Sequence, residues 1–234
     1  MDRTDSSNQR PLGKFTYLLG SLLALLIVAA FIGSDPVSVT IFCLLVAVVL
    51  LTAVVSACRR HRTLGLGLVL AIPVVVLNVA GYVTGNVMVF VIHNMTITVF
   101  FAFVSYHLLC AVLDDRQVTL DTIVGAVCLY LLAGLLWTYL YSTIILLSPS
   151  AFQLATAVDP PRASPFGNAG FQQLVYLSFV TMTTLGYGDI TPVSAPAQTA
   201  SYFQAVFGQL FLVVFVARLV ALHIAVAKRR QGNT

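Results

Sequence analysis

Six continuous apolar runs, near residues 15–33, 37–58, 64–84, 87–113, 118–147 and 199–227, constrain this chain more than any other feature. A helix needs about 20 apolar residues to cross about 30 Å of hydrocarbon, and each run has about that length or more. Hydrophobic residues make up 59% of the 234 and charged residues only 9%, too few polar side chains to cover a soluble globule of this size. The runs are continuous rather than alternating, which excludes a membrane β-barrel and leaves an all-α integral membrane protein with six transmembrane helices. A further apolar stretch, 169–182, is too short to cross and reads as a re-entrant helix that enters and leaves on one side.

Charge placement sets the orientation. Of the 12 Lys and Arg residues, Arg3, Arg10, Lys14, Arg59, Arg60, Arg62, Arg116, Lys228, Arg229 and Arg230 fall on one side of the runs, Arg162 lies in an opposite loop and Arg218 within a run. The positive-inside rule makes that side cytoplasmic and places both termini there. Residues 1–33 read as a span rather than a cleaved signal peptide, because the apolar run exceeds the usual h-region of about 7 to 15 residues. The segment 148–168, with Pro149, Pro160, Pro161, Pro165 and Gly167, reads as an extracellular loop. The basic clusters sit beside apolar runs instead of forming a stripe, so no nucleic-acid partner is expected. Cys43, Cys58, Cys110 and Cys128 lie within or at the ends of apolar segments without metal-site spacing, and neither a disulfide nor a metal centre is expected. No nucleotide-binding fingerprint or other catalytic feature points to an enzyme.

The chemistry concentrates in Thr184-Leu185-Gly186-Tyr187-Gly188-Asp189, between the short helix and the last run. A dehydrated cation in a membrane needs a replacement for its water shell, and backbone carbonyls aimed at a common axis supply one without titratable charge. Aiming successive carbonyls the same way demands unusual backbone angles, which Gly186 and Gly188 reach cheaply. The Thr184 hydroxyl can add one more oxygen.

The longer stretch Thr181-Met182-Thr183-Thr184-Leu185-Gly186-Tyr187-Gly188-Asp189-Ile190-Thr191-Pro192 resembles the pore signature of the tetrameric potassium channel family. Leu185 stands where valine is commoner, at a position whose carbonyl rather than side chain would serve the ion. The resemblance spans roughly 118–227. It implies K+ sites at the carbonyls of Thr184, Leu185, Gly186 and Tyr187, with Gly188 completing the filter and Thr183, Asp189 and Tyr176 supporting it, the last through a bond to Asp189. One copy of the motif cannot surround an ion, so three identical subunits must join this one in a homotetramer. The chain then divides into a cytoplasmic tail (1–14), a four-helix peripheral membrane domain (15–115) and a pore domain (116–234) of outer helix, pore helix, filter, inner helix and basic tail. K+ is the permeant ion, no cofactor is implied, and a bacterial inner membrane is the expected location.

Twenty residues after Gly188, Gly208 matches the family's inner-helix hinge, though glycine also serves close packing in membranes. At 100° per residue, Gln209, Leu212, Val216, Val220 and Ile224 share the face that would line the pore. Arg218 falls on nearly the opposite face, where snorkelling or a pairing with Asp121 would offset its cost. His93 and His107 read as satisfied polar residues, and His223 near the inner mouth as a weak candidate for pH sensing. Trp137 and Tyr141 read as interfacial anchors, and Asn94-Met95-Thr96 as a glycosylation pattern hidden in an apolar run. The fourth run carries no Lys or Arg, so the resemblance to a voltage sensor fails there. The rival readings are a potassium transporter component, whose relatives fuse four degenerate pore repeats, and a non-conducting membrane scaffold or sensor.

Overall fold

The computed structural model describes residues 13–29, 36–57, 61–114, 119–153 and 169–231. The described residues form α1 (Lys14–Ala29), α2 (Pro36–Ala57), α3 (His61–Thr84), α4 (Val87–Asp114), α5 (Leu120–Leu147), α6 (Ala169–Met182) and α7 (Ala195–Gln231). Two short strands, β1 (Phe152–Gln153) and β2 (Thr191–Pro192), pair antiparallel with Phe152 opposite Pro192. Each expected apolar run holds a helix. Three helical segments, Val87–Asp114, Leu120–Leu147 and Ala195–Arg218, are long and apolar enough to cross a membrane. The apolar parts of the first three helices, Phe15–Ala29, Leu44–Ser56 and Gly65–Gly81, are shorter within the described residues, so three of the six expected spans reach that standard. Arg3, Arg10, Arg59, Arg60, Arg116, Arg162, Cys58 and the loop 154–168 lie outside the described residues.

Local chemistry fixes the helix ends. Gly85 closes α3 in the left-handed conformation at φ 60°, its N–H on the Gly81 carbonyl at 2.9 Å. Asn86 then caps α4 by accepting from Met88 N at 2.9 Å. Thr119 caps α5 through its hydroxyl, which accepts from Thr122 N at 3.2 Å. Ser194 caps α7 by accepting from Ala197 N at 3.3 Å, and Pro196 sits in the first turn where its missing N–H costs nothing.

Lipid is as apolar as leucine, so packing and buried hydrogen bonds rather than water expulsion must hold such helices together. α5 is the hub, packing against α1, α4, α6 and α7, while α2 and α3 close the layer on α4. One apolar core runs from Phe15, Leu18 and Leu22 of α1 through Phe100, Phe101 and Val104 of α4 to Leu132 and Tyr139 of α5 and Phe171 of α6. The first four helices therefore share their core with the last three. Glycines allow the closest approaches: a Cβ on Gly134 would lie 2.6 Å from the Phe179 ring, and one on Gly81 2.5 Å from Phe90. Asp121 Oδ1 accepts from Phe15 N at 3.2 Å and so ties the start of α1 to α5.

Threonines within the apolar runs bond mainly to carbonyls of their own helix, whereas two buried polar residues of α4 reach other helices. His93 is buried with Nδ1 on the Val74 carbonyl at 3.2 Å, and Asn94 is buried with Nδ2 donating to Ser142 at 2.8 Å. His107 packs edge-on against Phe103. Arg218 donates to the Leu113 carbonyl at the end of α4, at 2.8 Å. Tyr141 departs from expectation. Its side chain is wholly buried rather than held at an interface, because its hydroxyl has a partner on α7, and Trp137 packs against it at a ring separation of 6.3 Å. Cys128 is buried, and Cys110 is exposed.

Candidate functional site

The chain leaving α6 turns sharply before it extends. Thr183 N bonds Phe179 O at 2.9 Å, Thr184 N bonds Thr181 O at 3.0 Å, and Leu185 N bonds Val180 O at 2.9 Å. The Met182 carbonyl accepts the Tyr130 hydroxyl of α5 at 3.2 Å. All four carbonyls of the last helical turn are thus satisfied within the chain, as a helix end away from water requires.

Beyond this turn the backbone alternates. Thr184, Gly186 and Gly188 have φ of 59°, 54° and 80°, while Leu185 and Tyr187 between them keep negative φ. Alternation between left- and right-handed angles turns successive peptide units the same way, lining up their carbonyls on one side of the chain. Glycine adopts such angles freely; threonine, branched at Cβ, does so against a steric cost. Thr184 was legible as an oxygen donor but not as a strained residue. Among the described residues, the carbonyls of Thr184, Leu185, Gly186 and Tyr187 accept no hydrogen bond. Residues 183–189 are all exposed, Leu185 at 54% and Tyr187 at 68%. Four successive carbonyls are thus left unpaired on an exposed backbone of alternating φ.

Side chains brace this row at both ends. Tyr176 donates to Asp189 Oδ2 at 2.7 Å and its ring stacks parallel to Tyr187 with centroids 6.5 Å apart. The Asp189 carboxylate, as acceptor, pushes the Tyr176 phenol up to about 12, so the phenol remains a donor at any physiological pH. Asp189 Oδ1 also accepts from Ile190 N at 3.1 Å. The β1–β2 pairing then fastens the outgoing chain to the segment after α5, with Val193 N on the Ala151 carbonyl at 2.9 Å. At the inner end Thr183 Oγ1 donates to Phe179 O at 2.8 Å, Thr184 Oγ1 to Thr183 O at 2.6 Å, and Gln209 Nε2 to Thr184 Oγ1 at 3.3 Å.

Gly208 lies against the Met182 carbonyl so closely that a Cβ would collide with that oxygen. Helix α7 runs unbroken through it, which gives Gly208 a packing duty in this conformation rather than a bend. Gln209, Leu212, Val216 and Val220 are exposed along α7, but so are Phe203, Phe207, Leu210 and Val214 on another face. One chain alone therefore does not single out the face that would line a pore. The Ile224 and His223 side chains lie outside the described residues.

The sequence reading missed a buried polar cluster behind this loop. Gln204, Ser178 and Tyr141, from α7, α6 and α5, are joined side chain to side chain and are buried together. The available signal was a glutamine in an apolar run, four residues before Gly208 and so on the same helix face.

Residues 118–224, which hold α5, α6, the 183–189 loop and most of α7, match the family model described as an ion channel. No curated protein and no solved structure matches the chain. The matched stretch is thus similar to an ion-channel domain, and the three helical segments that meet the membrane-spanning standard include α5 and the first part of α7, which flank the loop.

Proposed function

We propose that the chain is one subunit of a potassium-selective channel, in which four copies surround an axis and present the carbonyls of Thr184, Leu185, Gly186 and Tyr187 to dehydrated K+. The observation that carries this reading is the run of four unpaired carbonyls on a backbone of alternating φ. Neutral carbonyls suit a monovalent cation, which must bind well enough to enter yet leave again. A tetramer gives the exposed apolar surface a use: Leu185, Tyr187 and the many uncovered side chains of α7 would meet neighbouring subunits. Six spans with α6 re-entrant complete the arrangement, with both termini cytoplasmic and the helices before residue 116 forming a peripheral domain. The α6 dipole, its negative end toward the ions, would add to the attraction. A transporter reading would need three further pore repeats, and the chain holds one such motif. The test is to reconstitute purified protein in vesicles loaded with K+. Native mass of four chains together with dissipation of a potassium gradient supports the reading; a conducting monomer, or no potassium flux, overturns it.

Voltage should have little effect on opening. Each elementary charge that crosses the full field contributes about 2.3 kcal/mol per 100 mV, so steep gating requires several charges on a moving helix. α4 contains no Lys or Arg, and Arg218 is fastened to the Leu113 carbonyl at 2.8 Å. Open probability recorded over a wide voltage range should therefore change only weakly. A gating charge of several elementary units that survives Arg218→Gln would contradict this account.

A further inference from the structure

We propose that Gln204 is a positioning residue for the ion path, setting the carbonyl row through Ser178 of α6. The inference rests on reading 183–189 as that path. Gln204, Ser178 and Tyr141 are each fully buried. The Gln204 side-chain oxygen accepts the Tyr141 hydroxyl of α5, and its Nε2 donates to both Ser178 O at 2.9 Å and Ser178 Oγ at 2.8 Å. Ser178 Oγ passes the connection on to the Gly134 carbonyl of α5 at 2.6 Å. A single primary amide thus uses both N–H groups and its carbonyl to bind two other helices.

Its place in the sequence gives the cluster leverage over the site. Ser178 lies one turn before Met182, and Gln204 one turn before Gly208, which abuts the Met182 carbonyl. Helix α7 therefore grips α6 at two successive turns, and a third grip follows from Gln209 to Thr184 at 3.3 Å. The Val180 carbonyl, between the first two grips, holds Leu185 N at 2.9 Å and Gly186 N at 3.4 Å. A shift of the last turn of α6 is carried directly to Gly186, at φ 54°, and so to the direction of its neighbours' carbonyls. Gln204 also lies on the helix that would have to move in gating, so the cluster links that motion to the ion path. Methionine has nearly the same length and no hydrogen-bonding ends. An ionised glutamate keeps the acceptor for Tyr141 but loses both donors to Ser178, and regains one donor when protonated.

The experiment compares wild-type protein with Gln204→Met and Gln204→Glu, measuring the potassium-to-sodium permeability ratio and the native mass of each. Losing a buried hydrogen-bonding partner should lower the ratio in Gln204→Met by about tenfold while the assembly persists. In Gln204→Glu the ratio should recover as pH falls, with the wild-type ratio flat over the same range; Tyr141, the titratable side chain bonded at this position, is protonated throughout as the donor. Should Gln204→Met not assemble, Ser178→Ala takes its place, with a smaller loss expected. A wild-type ratio in an assembled Gln204→Met, or in Ser178→Ala where that variant stands in, overturns the inference while leaving the channel reading intact. A wild-type protein that shows no preference for potassium overturns both.

Discussion

Gly186→Ala should abolish potassium current and leave the amount of assembled protein close to wild type. The site has room for a methyl group, since nothing lies within 4 Å of the position a Cβ would take in the single chain. The obstacle is the backbone, held at φ 54°, where an L-residue with a Cβ costs about 1–2 kcal/mol. That is a small part of a folded protein's stability, so folding survives. It is enough to turn the peptide toward ordinary angles, and in the proposed fourfold ring one turned carbonyl would remove four ligands at once. Thr184 holds φ 59° despite its branched side chain, but it is fastened by Thr181 O, Thr183 O and Gln209, whereas Gly186 has only the long 3.4 Å bond to Val180 O. Flux from vesicles beside native mass checks the expectation. Wild-type conduction by Gly186→Ala would remove the ion path from this loop.

Gly208→Ala should act on the protein itself. The new methyl group meets the Met182 carbonyl oxygen, a backbone atom that also accepts the Tyr130 hydroxyl at 3.2 Å and cannot retreat without moving the end of α6. Overpacking of this kind costs about 1–3 kcal/mol, which for a chain of this size lowers the melting temperature by several degrees. Gly208→Val should be worse, because branching also restricts the side chain on the crowded helix. Thermal unfolding of the assembled protein in detergent reads the effect directly. A Gly208→Ala protein as stable as wild type but with altered opening would restore the hinge reading that the close contact argues against.

What could be read from the sequence was whatever depends on composition and local backbone demand. Every helix was visible as an apolar run, with α6 the shortest of them. Gly186 and Gly188 announced positive φ because few residues other than glycine enter that region freely. The Tyr176 to Asp189 bond was expected from the family resemblance rather than from spacing, and the two side chains lie 2.7 Å apart. What could not be read depends on which faces meet. Tyr141 looked like an interfacial tyrosine until α7 supplied Gln204 as its partner, and nothing in either residue alone predicts that pairing. The strain at Thr184 was hidden because threonine seldom occupies such a conformation. The pairing of Phe152 with Pro192 was hidden for another reason: two-residue strands carry no periodic signal. Around α7 the exposed apolar surface covers several faces, so which of them lines a pore is a matter for the assembly rather than the chain.

The central claim, that residues 184–187 conduct potassium in preference to sodium, is tested most directly by the reversal potential of the purified protein in a planar bilayer, with potassium and sodium opposed across it. The account predicts a reversal close to the potassium equilibrium potential, moving by about 59 mV for each tenfold change in the potassium gradient and hardly at all with sodium. A reversal potential that follows sodium as readily as potassium, or that stays at zero under a potassium gradient, would contradict it.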